Sequence, residues 1–474
     1  MNGRGARALY GTGRGALVGA LVLVLSAVAA CGGGAPVLPP SGDTPGVIVV
    51  ASGRDVTGKD GVRQQLIDAW NAEQERRGTN YSARLVELPG SADEQRSQLL
   101  GALQSGSAEY DVVNLDVTWV PEFAAAGLIR PLPGDLLDKD VIGSVASTAK
   151  WDGEVYAAPF NSDVGLLFYR PDYLKRVGAQ RTDLGRGVTW PELRALSDTL
   201  DDSEERPARY EKGWTTQLGP YEGRTVNAVE AFASAVPDFA LTDDEGRYTA
   251  SVEELTDGLA ELRARSQAPY TLPGAKKSDE TASMTDFADG RTAFLRQWPY
   301  AYRTLHQSFP AGRLAVAPLP GKAVLGGQNL AVTDDSKRGR TATDLIRFLT
   351  DQRSERCLLD GGFAATRRSA YEADDVTCRF TGPSGTATPS PTASASAESA
   401  DRMPRDAQGR PRYARGILLP ALRRAVQRPR TPLYGAFTQT FATELGPLFT
   451  DAPPTDAALA RSLDKALRDV LPDG

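Results

Sequence analysis

A two-lobed α/β fold is predicted for this chain by three observations. Apolar, β-branched runs alternate with amphipathic stretches from Val47 to Asp116 in the order strand, helix, strand, helix, strand, the pattern of a sheet with parallel members. A second unit of the same kind begins near Ala157. Beyond an apolar leader there remain roughly 440 of the 474 residues, more than one hydrophobic core accommodates, so the chain is expected to divide.

The leader carries Arg4, Arg7 and Arg14 with no acidic residue before Asp43, then an apolar run from Ala16 to Ala30. A charged start, a short apolar stretch and small residues at its end read as an export signal spanning 1–30. At about 1.5 Å per helical residue the run is short for a hydrocarbon core of about 30 Å. Val28-Ala29-Ala30-Cys31 resembles the bacterial lipobox, which implies acylation of Cys31 and anchoring at the outer face of the cell membrane. Residues 31–45, rich in Gly and Pro, read as a flexible tether. With Cys31 lipidated, Cys357 and Cys378 remain, and outside the cell they are expected to form a disulfide; two buried thiols are the alternative.

In the body, Val47–Ala51 reads as a buried strand between Gly46 and Gly53. A helix follows from Gly61, with Val62, Leu66, Ala69 and Trp70 on one face, and stops at Gly78. Then come a strand over Tyr81–Leu88, a helix opened by the capping box Ser91-x-x-Glu94, and a strand over Tyr110–Asp116. Ligands of open α/β sheets sit beyond the carboxyl ends of strands, which is where Asp116 stands. In the second unit Phe160-Asn161 leads into a strand over Val164–Tyr169, and Thr189-Trp190-Pro191-Glu192 opens a helix. Phe287–Leu295 leads to Trp298-Pro299-Tyr300, Gly326-Gly327 reads as a turn entering a strand that ends at Val332, and a helix is expected from Thr341 to Leu359. Residues 382–400, almost all Ser, Thr, Ala and Pro, cannot bury enough apolar surface to fold and read as a disordered insertion. Helical patterns return over Leu418–Val426 and Pro454–Leu471.

A net charge of −6 and the lack of a basic tract argue against nucleic acid as a partner. Gly11-Thr12-Gly13-Arg14-Gly15-Ala16 matches a dinucleotide fingerprint on paper, but it lies in the leader and follows no strand. No phosphate-binding loop, G-x-S-x-G elbow, C-x-x-C or H-E-x-x-H occurs, and the single histidine, His306, is expected at the surface or between lobes. Neither a cofactor nor a metal site is indicated.

The run Asp111–Phe123 with Gly127–Leu132, the run Ala158–Arg170, and Tyr221-Glu222-Gly223, Trp298-Pro299-Tyr300, Gly326–Val332 and Arg428-Pro429 together resemble family 1 of the extracellular solute-binding proteins, the carbohydrate-binding components of ABC importers, above all its trehalose- and maltose-binding branch. That resemblance implies a periplasmic-binding-protein-like clamp of type II, with a hinge and a ligand cleft between lobes. The first lobe would comprise 46–157 plus 321–380 and the second 158–320 plus 401–474. The partners it implies are a carbohydrate ligand and membrane permeases driven by a cytoplasmic ATPase, with the protein itself a monomer.

A pyranose offers vicinal hydroxyls and one apolar face, so its site needs fixed donors and acceptors beside an aromatic plate. By the resemblance Asp116, Asn161 and Glu280 bind hydroxyls, Trp298 stacks, the Gly326-Gly327 backbone approaches the ligand and Arg428 donates from the far side with a planar fork. Tyr221 joins this set, and so does Gln328, which stands where relatives often carry an aromatic residue. Each has a plainer reading: Asp116 as a helix cap, Asn161 as a turn residue, Trp298 as core, Glu280 on a solvated face, Arg428 in a surface ion pair. Two other functions stay open at this level, a binding protein for a peptide or polyamine and a glycosidase using Asp116 and Glu280.

Overall fold

Two mixed sheets organise the chain in the computed structural model, which describes residues 43–54, 61–107, 109–267, 269–310, 312–380 and 401–474. Cys31, the export signal, the tether up to residue 42 and the 382–400 insertion lie outside the described residues.

The first sheet comprises β1 (Gly46–Gly53), β2 (Tyr81–Leu88), β3 (Val112–Asp116), β4 (Ala158–Val164) and a late strand, β9 (Leu325–Val332). Its spatial order is β2-β1-β3-β9-β4, with β1 parallel to β2 and β3 and with β9 antiparallel to both its neighbours. Ile48, Val50, Val112, Leu330 and Val332 pack against Leu66, Ile67 and Trp70 of the helix Val62–Arg76, the face that the spacing of its apolar residues foretells. The second sheet comprises β5 (Leu166–Tyr169), β6 (Lys212–Thr215), β7 (Thr292–Gln297) and β8 (Ala315–Pro318), in the order β8-β5-β7-β6. Leu167, Tyr169, Trp214 and Phe294 form its core with Leu193 and Leu196. Beside it the helices Glu222–Ala235, Val252–Ser266, Tyr434–Glu444 and Asp456–Val470 pack through Phe232, Leu259, Phe437, Phe441 and Leu463.

Three expectations are corrected here. Val164–Tyr169 is not one strand: β4 is hydrogen-bonded to β9 in the first sheet, and β5, one residue later, belongs to the second. The passage between sheets therefore falls at Gly165, and 158–164 pairs within the first sheet. Gly326-Gly327 is not a turn but part of β9, just before a register shift between Gln328 and Asn329; Gly327 takes φ +117°, and a Cβ there would lie 2.4 Å from the Asn161 carbonyl oxygen. The helix expected over Thr341–Leu359 is two, Gly339–Leu349 and Gln352–Asp360, divided by Asp351, whose Oδ1 accepts from the Ser354 amide at 2.9 Å. His306 is buried, edge-on to Tyr302, and burial lowers its pKa to about 4.

The capping boxes at Ser91/Glu94 and Thr189/Glu192 form as read, and Ser251/Glu254 adds a third. Cys357 and Cys378 are bonded to each other. Among the described residues no helix is long and apolar enough to cross a membrane.

The chain passes between the sheets at Gly165, again between β8 and β9, and a third segment runs beside the second, where Val426 exchanges backbone hydrogen bonds with Ala323 and Leu325 at 2.9 and 2.7 Å. Gly165 is required by what it faces. A Cβ there would lie 2.3 Å from Glu230 Oε1 and 3.1 Å from Arg296 Nη2, a buried ion pair with both side chains 2% exposed or less. Gly165→Ala should therefore cost about 1–3 kcal/mol, seen by calorimetry as a lower melting temperature. An unchanged melting temperature would show that the crossing has room for a side chain.

Candidate functional site

Three helices begin at one place. Ala92–Gln104, Glu222–Ala235 and Glu280–Ala288 present their first turns to a cavity of about 680 Å3, whose remaining wall is formed by the ends of β3 and β4, the start of β9, Trp298 and Arg428. The volume is that of a small-molecule site, for which about 300–1,000 Å3 is usual.

Arg428 is the cavity's cation, 4% exposed. Its Nη2 donates to Asp116 Oδ1 at 2.8 Å and its Nη1 to Glu222 Oε1 at 2.6 Å. One guanidinium thus joins the end of β3 in the first sheet to the first turn of a helix beside the second. Glu222 also accepts from the hydroxyls of Tyr434 at 2.5 Å and Thr438 at 2.7 Å. Burial raises the Glu222 carboxyl and Arg428 opposes this, while the two flanking carboxylates hold the guanidinium charged. Asp116 Oδ1 further accepts from the Thr118 amide at 2.9 Å and hydroxyl at 2.7 Å, a turn contact and not a helix cap, since the helix Val120–Ala125 that follows starts at Trp119 without a side-chain cap.

The aromatic plate is also held by charge. Trp298 Nε1 donates to Glu280 Oε1 at 3.3 Å, the Tyr221 hydroxyl donates to Glu280 Oε2 at 2.8 Å, and the Arg296 guanidinium lies 3.7 Å from the centroid of the indole. Stacking on a ligand is thereby confined to the other face. A Cβ on Gly326 would sit 3.2 Å from both Trp298 and Asp163, so only glycine lets β9 lie this close to the ring.

Of the nine residues expected in the site, Asp116, Tyr221, Glu280, Trp298, Gly326, Gly327, Gln328 and Arg428 line this one cavity. Asn161 does not: it is buried behind the wall, its Oδ1 accepting from Arg63 Nη2 at 3.0 Å. Glu280 opens a helix rather than lying on a solvated face. Glu222, Asp163 and the Arg63 layer were not in the expected set. Asp163 had a signal: it lies two residues after Asn161 at the end of the same strand, hence on the same face. Arg63 had none, because a cation in the first turn of an amphipathic helix reads as solvent-exposed.

Six carboxylates, those of Glu94, Asp116, Asp163, Glu222, Asp279 and Glu280, line the cavity against one cation, so an anionic ligand is disfavoured and a donor-rich one favoured. Part of the acidic excess is balanced by the helix starts: Glu94 accepts from the Ser91 amide at 2.6 Å and Asp279 from the Ala282 amide at 2.8 Å.

Such a site, buried between two sheets joined by several chain passages, is that of a solute receptor. The chain belongs to the bacterial extracellular solute-binding proteins, whose family model matches residues 65–379. It is 28% identical over 321 residues to a probable ABC transporter-binding protein of Deinococcus radiodurans (65% of this chain, 73% of the relative). It is 23% identical over 329 residues to an arabinooligosaccharide-binding protein of Halalkalibacterium halodurans (65% and 69%). Its fold matches that of maltose-bound MalE3 of T. maritima with a TM-score of 0.70 at 21% identity, covering 90% of this chain and 100% of that one. The family is one of transporter binding components, and the chain is not an enzyme.

Asp163 is the cavity's titrating group. Burial pushes its carboxyl up to about 7; Arg63, Arg296 and Arg428 pull it down and Asp116 pushes it further up. The unfolded carboxyl titrates near 3.9, so as pH rises from about 4 to about 7 the unfolded chain loses its proton first and stability is progressively lost. Asp163→Asn removes that penalty. It should raise the melting temperature by about 2–4 °C at pH 8 and change it little at pH 4. Equal shifts at both pH values would place the titration elsewhere.

Proposed function

We propose that this protein is the receptor of an ABC importer, held at the outer face of the cell membrane by acylated Cys31, and that it captures a di- or oligosaccharide of the trehalose or maltose kind in the cavity between its sheets. In this reading the lobes close on the sugar as a monomer and deliver it to membrane permeases. The observation that carries it is the pairing of a half-buried tryptophan with carboxylates around one arginine: an indole face for the apolar side of a pyranose, acceptors for its hydroxyls, and a planar donor opposite. The names of the relatives, an arabinooligosaccharide-binding protein and a maltose-bound receptor, support the class of ligand.

The acidic excess favours one other reading, a polyamine receptor, and the same experiment decides between them. A melting-temperature screen of maltose, trehalose, arabino-oligosaccharides, spermidine and peptides should give its largest shift with a saccharide, since a ligand at about a hundred times its dissociation constant adds about 2.7 kcal/mol. A shift with spermidine alone would replace the sugar by a polyamine. In titration calorimetry of the saccharide found, Asp116→Ala should weaken binding by about ten-fold or more, the worth of a charged hydrogen bond. Undiminished affinity would remove Asp116 from the contacts.

A further inference from the structure

Behind the cavity wall lies a second polar layer that none of the site residues explains. Its centre is Arg63, in the first turn of the helix Val62–Arg76 and 4% exposed. Its Nη1 donates to Ser52 Oγ and to the Gly53 carbonyl, both at 3.0 Å. Its Nη2 donates to Asn161 Oδ1 at 3.0 Å and to Gln328 Oε1 at 2.7 Å, and Phe363 lies under the guanidinium with its centroid at 5.0 Å. Asn114 Nδ2 adds a second donor to the same Gln328 oxygen at 2.9 Å.

The consequence concerns an amide whose two ends differ only in what they donate or accept. Gln328 Oε1 takes two N–H groups, one of them charged, which fills its acceptor capacity and excludes the flipped orientation. What Gln328 has left for the cavity it lines is Nε2, a donor that can only give. In the register of the sheet Gln328 stands directly opposite Asp116, whose Oδ1 is occupied by Arg428 and Thr118. Cross-strand neighbours of this kind keep their Cβ atoms about 4.5–5.5 Å apart, so a fixed donor stands beside a fixed acceptor at the spacing of adjacent groups on one ligand.

We infer that Gln328 is a dedicated hydrogen-bond donor to the ligand, that Arg63 is the positioning residue that fixes its polarity from behind the wall, and that the Gln328–Asp116 pair reads a vicinal diol, Asp116 accepting from one hydroxyl and Gln328 donating to its neighbour. The inference rests on the cavity being the sugar site. It assigns specificity to the position where the sequence lacks an aromatic residue: stacking is exchanged for a polar requirement, and a ligand without an oxygen acceptor there is rejected.

The test is calorimetric titration of the full chain with maltose, trehalose, an arabino-oligosaccharide and spermidine. Gln328→Glu keeps the shape and still accepts from Arg63 and Asn114, but has no proton to give. Its saccharide affinity should fall by ten-fold or more while the ligand-free melting temperature stays within about 2 °C of wild type. Gln328→Met, which adds no charge, should lose affinity comparably. Arg63→Lys keeps the charge and loses the fork; it should weaken saccharide binding in the wild-type background and have little further effect in the Gln328→Glu background, a non-additivity that a merely structural role would not produce. Saccharide binding undiminished by Gln328→Glu, or additive losses in the double variant, would overturn the inference and leave the sugar reading intact. Spermidine binding without saccharide binding would overturn both, since a polyammonium chain offers Nε2 no acceptor.

Discussion

A single buried guanidinium carries the arrangement. Arg428 is out of water, and an unpaired charge in that position would cost several kcal/mol, so the protein must hold carboxylates against it. One comes from the first sheet, Asp116, and one from a helix beside the second, Glu222. Neither could stand so deeply without the cation: the hydroxyls of Tyr434 and Thr438 satisfy Glu222, and the Thr118 turn satisfies Asp116. The three charges therefore need one another, and they need both sheets in place. This explains why the cavity forms where the two sheets meet rather than on either alone.

The rest of the site follows the same logic. Carboxylates are gathered where helices begin, so that backbone amides and the arginine offset their mutual repulsion. Glycines at 165, 326 and 327 are the steric counterpart. Each lets backbone approach a group that a side chain would displace: the Glu230–Arg296 pair, the Trp298 ring, the neighbouring strand. Arg296 belongs to both systems, neutralising Glu230 and backing the indole.

Much of this was legible in the residues. The β2 boundaries, two capping boxes and the Cys357–Cys378 pair could be read, and eight of the nine residues expected in the site share one cavity, because each rests on short-range chemistry, a strand end or the family resemblance. The misreadings share a cause. Val164–Tyr169 is uniformly apolar on both sides of Gly165, so nothing local shows that its halves enter different sheets. Gly326-Gly327 has the composition of a turn, and only pairing with β3 and β4 makes it strand. Asn161, read as leading into a strand and facing the ligand, lies within β4, and Arg63, 98 residues away, claims its oxygen. Long-range partners decide side-chain direction, and composition is silent about them.

The central claim is that Arg428 holds the two sheets together around the ligand. Small-angle X-ray scattering of the wild type and Arg428→Gln, each with saturating saccharide, tests it directly. The account predicts contraction of the wild type on adding the sugar and an unchanged, larger radius of gyration for the variant. A variant that contracts to the wild-type value would contradict it.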